Sequence, residues 1–399
     1  MTTLLVYQSP GFEPRTRIAG FDMDWTVIRT KSGRVFPTSP DDWTLFHDHV
    51  APRVQALYAE GYAICLFTNQ EGVSKGRVTA EALVKKFAAV GVALGVPVLC
   101  QAATHNDHFR KPRMGMWTRL ETEWKAEHGI VVDRAESLYV GDAAGRPCSS
   151  GPKRKGKGKA DFHDADYKFA LNLGVGRFAV PEECFATGET VPDRATWRLH
   201  TPFAFVPSTL VVPADNYHTL IEHAFAGCDA WVRDNDATAP TIDPGTVALW
   251  LCVGPPAAGK STFCATHAPA IARINQDTLK TRARCLKQAR AQLAAGKPCI
   301  VDGTHRDAAT RAHYVQVAEA AQVPCYCLWF DRTKEEAMHL NALRRLTGGA
   351  HVPAVALHTY FKRWQLPHAT EGFARVIRVP WHPAFTSEEA QALAGQYLV

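Results

Sequence analysis

Apolar runs of four to seven residues alternate with stretches of helical periodicity along residues 17–180, which predicts parallel α/β architecture. The strand-like runs are Arg17–Phe21, Ala63–Phe67 and Ser137–Val140, with an amphipathic segment, Val54–Glu60, between the first two. Each run ends on polar residues, the place where open parallel sheets hold ligands. The pattern lapses over residues 186–243, which carry several prolines and the polar stretch Asp234–Thr238. This segment reads as a connector with one helix, Tyr217–Ala226. Periodicity resumes at Val247–Val253, a buried strand, and continues at Pro298–Val301 and Pro324–Phe330, with long helices expected at Leu279–Ala295 and Arg306–Ala321. The expected organisation is an α/β domain over residues 1–185, the connector 186–243 and a second α/β domain over 244–399.

A chain of 399 residues exceeds one ordinary hydrophobic core, in keeping with two domains. With 46% hydrophobic and 21% charged residues, it is globular rather than disordered. No apolar run approaches the roughly 20 residues of a membrane-spanning helix. Met1–Gly11 lacks the basic and apolar regions of a secretory signal. Eleven cysteines without a Cys-x-x-Cys pair argue against a zinc ribbon and for reduced thiols in an intracellular compartment. The net charge of +6 fits a polyanionic partner, and part of it is concentrated in the run Lys153–Lys159. That run reads as a solvated loop, a nuclear localisation signal or a phosphate-backbone contact.

The first candidate chemistry lies in Asp22-Met23-Asp24, two carboxylates that one strand end can present to one pocket. A carboxylate can accept a phosphoryl group as an acyl phosphate while its neighbour protonates the leaving oxygen. A cation such as Mg2+ would neutralise the charge. Alone the pair is weak, but three further features follow in order. Thr68-Asn69-Gln70 offers a hydroxyl and backbone N–H groups for phosphate oxygens, Arg110-Lys111-Pro112-Arg113 supplies positive charge, and Gly141-Asp142 adds a carboxylate at a strand end.

The second lies in Gly254-Pro255-Pro256-Ala257-Ala258-Gly259-Lys260-Ser261, which fits G-x-x-x-x-G-K-[ST] between a strand and a helix. Gly254 and Gly259 let the backbone wrap a triphosphate, Lys260 reaches its β- and γ-phosphates, and Ser261, with Thr262 beside it, faces Mg2+. The motif indicates nucleotide binding. Asp277 lies between a short apolar run and a helix, where it reads as a helix cap or a base for the acceptor. Asp302 ends another apolar run and is a candidate for Mg2+ or its water shell. Arg344 lies on a helical stretch that can face phosphates.

The first motif set resembles the haloacid-dehalogenase phosphatase superfamily. The resemblance implies Asp22 as nucleophile, Asp24 as general acid, Thr68 and Lys111 as phosphate-binding residues, and Asp22, Asp24 and Asp142 around Mg2+. The order of a phosphatase and then a P-loop kinase resembles the eukaryotic polynucleotide kinase 3′-phosphatases. Shorter agreements extend the likeness: Lys31–Pro37, Ala103-Thr104-His105, Gly115-Met116-Trp117, Asn275–Leu279, Arg311–Gln316 and Thr370–Phe373. The implied fold is a Rossmann-like haloacid-dehalogenase phosphatase domain followed by a P-loop kinase α/β domain. The implied activity is repair of DNA ends at single- or double-strand breaks, by removal of 3′-phosphates and ATP-dependent phosphorylation of 5′-hydroxyls. Asp277 would be the kinase base, Lys260, Ser261 and Arg344 would hold nucleotide and metal, and Asp166 would stand near the phosphatase metal. Nuclear localisation, a compatible mitochondrial pool and a monomeric state complete the expectation.

This chain departs from the family pattern in four places. Trp25 replaces a common glycine and is expected to pack near the entrance. His305 replaces an asparagine and Ala342 the first of two lid arginines, and either would weaken the kinase. The forkhead-associated domain of animal members is not expected. Two other readings stand beside the first: a fused phosphatase/kinase acting on small metabolites, and an end-binding protein with a degenerate kinase half.

Overall fold

The computed structural model describes residues 3–146, 160–161, 163–185, 205–210, 246–379, 385 and 387–399. The basic run Lys153–Lys159 and the helix expected at Tyr217–Ala226 lie outside the described residues. The chain forms two compact units, Met1–Ala204 with Gln396–Val399, and Phe205–Gly395. The last four residues, which the sequence reading leaves with the second domain, therefore group with the first.

The first unit is built on a six-stranded sheet of order β1-β6-β5-β2-β7-β8, where β1 is Leu4–Gln8, β2 Ile18–Phe21, β5 Ala63–Asn69, β6 Val98–Ala103, β7 Leu138–Val140 and β8 Arg177–Ala179. A short hairpin of β3, Ile28–Arg29, and β4, Thr44–Leu45, follows the end of β2. Every pairing in the main sheet is parallel except β1 against β6. The central strands are buried throughout, so they read as apolar runs rather than as alternating ones. One apolar cluster joins Phe21, Leu66 and Cys100 to helices Val50–Ala59 and Ala80–Leu94. Another joins Phe67 and Tyr139 to helices Gly115–His128 and Ala165–Leu173. Both faces of the sheet are thus covered.

Chain order reverses at β2, which has β5 on one side and β7 on the other. The crevice at such a switch point is where doubly wound sheets bind ligands, and Asp22 follows β2 directly.

The second unit has a five-stranded parallel sheet of order β10-β11-β9-β12-β13, with β9 Leu249–Val253, β10 Ala272–Asn275, β11 Cys299–Asp302, β12 Cys325–Phe330 and β13 Arg375–Val379. Its switch point is β9, and the glycine loop follows β9 directly. Helices Arg282–Ala294 and Ala308–Ala320 contribute Leu293, Tyr314 and Val317 to its core. Each starts on a side-chain cap, Thr281 and Asp307 respectively. Among the described residues no helix is long and apolar enough to cross a membrane.

Candidate active sites

In the first unit the ends of β2, β5 and β7 bring the expected residues together. Lys111 Nζ donates to Asp22 Oδ1 and to Asp166 Oδ1, both at 2.6 Å, and to Tyr139 Oη at 2.9 Å. The ammonium, both carboxyls and the phenol are all buried. Burial alone would lower Lys111, but Asp166 and Asp22 outweigh it and hold its pKa above the ordinary value. Burial likewise pushes the Asp22 carboxyl up, with the Lys111 ammonium pulling it back.

Each residue of Thr68-Asn69-Gln70 has a distinct place. The Asn69 amide accepts from Lys111 N at 3.0 Å and donates to Lys111 O at 3.1 Å, which pins the backbone that carries the ammonium. Gln70 Nε2 donates to Asp24 Oδ2 at 2.6 Å and to Thr68 Oγ1 at 3.0 Å, placing acid and hydroxyl on one amide. Thr26 Oγ1 accepts from Asp142 N at 3.0 Å and ties the β7 loop to the loop after β2.

Carboxylate oxygens of Asp22, Asp142 and Asp166 lie within 4.8 Å of one another. These three carboxyls, two of them paired with the Lys111 ammonium, form a hard, electron-rich donor set that fits Mg2+. Asp166 accepts from Lys111 at one oxygen and from Ala143 N, at 3.0 Å, at the other. Asp24, expected in the metal set, accepts from Gln70 at one of its carboxylate oxygens. Asp166 acts on Lys111, and its approach explains Gly141: a Cβ there would lie 2.5 Å from the Asp166 side chain.

Trp25 occupies a left-handed backbone position, φ +64°, which glycine accepts freely and an L-residue accepts at a cost of about 1–2 kcal/mol. That conformation accounts for the glycine common at this place. The half-buried indole packs against the core and donates to Val35 O at 3.3 Å.

Two further arginines lie near this site: Arg146, which is buried and was not expected there, and half-buried Arg110, which belongs to the expected basic stretch. Arg146 bridges Asp161 at 2.9 Å and Glu182 at 2.6 Å, and donates to Asp142 O at 2.9 Å. Arg110, beside Lys111, has a buried Nη1 with no hydrogen-bond partner among the described residues.

In the second unit, Gly259 takes φ +85° and starts the helix Lys260–His267, so its backbone amides face the loop. Gly254 packs so closely on β12 that a Cβ would meet Phe330 O at 2.9 Å. Lys260 Nζ is buried and donates to Gly254 O at 3.0 Å and Pro255 O at 2.5 Å. Burial lowers its pKa to about 8, and Arg344 adds to the lowering. Ser261 Oγ donates to Asp302 Oδ2 at 2.7 Å, joining the loop to the end of β11 in a pair of hard oxygens that fits Mg2+. Thr262 is exposed on the first helical turn.

Asp277 is exposed at the end of β10, in a short helix whose cap Asn275 accepts from Asp277 N at 2.7 Å. Arg344 is exposed in the last turn of Lys334–Leu346, whereas Ala342 faces the interior. His305 is also interior. Its Nδ1 pairs with Cys252 O at 2.6 Å and its ring meets Tyr314 edge-on, so it packs beneath the loop. The agreement at Arg311 and Glu371 is structural: the buried guanidinium donates to both Glu371 oxygens, at 2.7 and 2.6 Å, and to His305 O at 3.1 Å.

Residues 17–185 match the family described as polynucleotide kinase 3 phosphatase, and residues 249–367 match the AAA domain family. The bifunctional polynucleotide phosphatase/kinase of Schizosaccharomyces pombe is 30% identical over 92% of this chain and 80% of its own length. A putative bifunctional polynucleotide phosphatase/kinase of Acanthamoeba polyphaga mimivirus is 27% identical over 95% of this chain and 88% of its own. The Arabidopsis thaliana polynucleotide 3'-phosphatase ZDP is 29% identical over 48% of this chain, but only 27% of its own length is matched. The first two matches run through both units without a break in order, and the chain belongs to the bifunctional polynucleotide phosphatase/kinase family.

Proposed function

We propose that this enzyme mends broken DNA ends, removing 3′-phosphates in its first unit and phosphorylating 5′-hydroxyls with ATP in its second. In the phosphatase, an Asp22 oxygen attacks phosphorus and the bond to the 3′-oxygen breaks. Asp24, oriented by Gln70, gives that oxygen its proton. Water then hydrolyses the acyl phosphate, with Asp24 as base. Lys111, locked between Asp22 and Asp166, and the Thr68 hydroxyl hold the non-bridging oxygens. Mg2+, held by Asp22 and Asp142, would neutralise charge on the transferring group.

In the kinase, Asp277 takes the proton of the 5′-hydroxyl as its oxygen attacks the γ-phosphorus. The glycine-loop amides and Lys260 hold the β- and γ-phosphates, and Arg344 approaches from its helix. Ser261 and Asp302 would hold a second Mg2+. A nuclear enzyme is part of the same proposal, favoured by the basic run Lys153–Lys159, and a mitochondrial pool is equally compatible with the chemistry.

The observation that carries the polynucleotide reading over a small-metabolite one is Arg110. A buried guanidinium N–H without a partner among the described residues, one residue from Lys111, awaits an anion beyond the phosphate being removed. A phosphodiester supplies one and a simple monoester does not. The test compares kcat/KM for a 3′-phosphorylated oligonucleotide with that for a 3′-nucleoside monophosphate and a sugar phosphate. The oligonucleotide is expected to be preferred by at least about a hundredfold, and Arg110→Gln to narrow that ratio roughly tenfold. Equal use of all three substrates would refute the reading.

A further inference from the structure

Asp302 Oδ2 accepts from Ser261 Oγ at 2.7 Å, from Asn275 Nδ2 at 3.0 Å, and from Arg273 through Nε at 2.9 Å and Nη2 at 2.5 Å. This carboxylate is almost wholly buried, at 3% side-chain exposure, while the Arg273 side chain is 39% exposed. The guanidinium thus reaches in from solvent to the oxygen that Ser261 also faces. Lys260 feels the Asp302 charge but gives it no hydrogen bond, because its Nζ is turned to Gly254 O and Pro255 O. Nor does the sheet need the ion pair, since β10 and β11 are already joined in register, with Arg273 opposite Ile300 and Asn275 opposite Asp302.

We propose that Arg273 is a cation of the kinase site that neutralises Asp302 and must leave before a divalent metal can bind there. A metal–oxygen bond of about 2.0–2.1 Å and an arginine at hydrogen-bond distance compete for the same lone pairs, and their positive charges repel. Release is cheap for a side chain already partly in water. The metal therefore takes over a charge already balanced, instead of filling a bare carboxylate. This inference rests on the kinase reading above, in which Ser261 and Asp302 hold the metal.

The test is Mn2+ binding by titration calorimetry, on the full chain carrying Asp22→Asn and Asp142→Asn to silence the phosphatase carboxylates. Adding Arg273→Gln is expected to tighten Mn2+ binding roughly three- to tenfold and to lower the metal-free unfolding temperature of the second unit. Arg273→Lys, which keeps a charge but loses the fork, is expected between the two. Unchanged or weaker Mn2+ binding in Arg273→Gln overturns the proposal, as does the lack of any Mn2+ site both with and without this substitution. ATP binding with and without Mn2+ separates the two levels. If ATP binding ignores the metal, the kinase reading itself fails. If it depends on the metal while Arg273→Gln changes nothing, only the role of Arg273 fails.

Discussion

Deleting Gln396–Val399, at the far end of the chain from the phosphatase motifs, is expected to impair the phosphatase and spare the kinase. Leu398 is fully buried in the first unit. Its carbonyl accepts from Arg113 Nε at 3.1 Å and Nη2 at 2.9 Å. Val399 O accepts from Lys168 Nζ at 2.8 Å. Asn172 donates to Tyr397 O at 2.9 Å and to Pro112 O at 2.8 Å, so the tail is one bond removed from the loop that carries Lys111. Burial of a leucine contributes about 1.5–3 kcal/mol, and the acceptor lost by the buried Arg113 roughly the same again. Their sum, about 3–6 kcal/mol, is a large part of the roughly 5–15 kcal/mol that stabilises a domain. In a unit of this size it corresponds to a fall in unfolding temperature of about 10 °C. The assay is residual 3′-phosphatase and 5′-kinase activity after brief incubation at graded temperatures. The half-inactivation temperature of the phosphatase should fall by that amount while that of the kinase stays in place. An unmoved phosphatase midpoint, or equal falls in both, would refute the reasoning.

Two further substitutions probe particular positions. At Trp25, the left-handed backbone makes Gly more stable than Ala by about 0.5–1 kcal/mol, the reverse of the usual order. Chemical unfolding of Trp25→Gly and Trp25→Ala checks this, and an equal or more stable Ala variant would contradict it. At His305, burial holds the imidazole down at about 4, below its ordinary 6.5. The neutral ring is therefore favoured by folding, so its contribution is complete above pH 6.5 and is lost as pH falls toward 4, by at most roughly 3 kcal/mol. Unfolding of wild type and His305→Gln across that range should give curves that converge at low pH; a constant gap would refute the assignment.

Burial pattern made much of the fold legible in the sequence. Strands buried on both faces, such as Ala63–Asn69 and Leu249–Val253, appear as unbroken apolar runs, and they lie within two residues of their expected bounds. Apart from the fully buried Val98–Ala103, the main-sheet strands not expected were at sheet edges. Leu4–Gln8 is short and half exposed, and Ala272–Asn275 carries Arg273 and Asn275 for the site rather than for the core. The long helices were legible in period but not at their starts. The helix expected at Leu279–Ala295 begins only at Arg282, because Lys280, with φ +69°, breaks it from the four-residue helix Gln276–Leu279 that carries Asp277.

The site was legible where chemistry follows local sequence, as at Asp22-Met23-Asp24 and the glycine loop. Contacts between distant segments were not. Gln70 with Asp24, Asn69 with Lys111, and Arg273 with Asp302 each join residues 27 or more positions apart, and no local spacing announces them. The glycine at 141 is of the same kind, because the side chain it admits comes from Asp166.

The central claim is that two separate sites act on opposite ends of a broken strand. The most direct measurement uses one oligonucleotide bearing a 3′-phosphate and a 5′-hydroxyl, with Mg2+ and γ-labelled ATP, given to the wild type, Asp22→Asn and Lys260→Ala. The wild type should release the 3′-phosphate and label the 5′ end, Asp22→Asn should only label, and Lys260→Ala should only release. Loss of both activities in either folded variant would contradict the account.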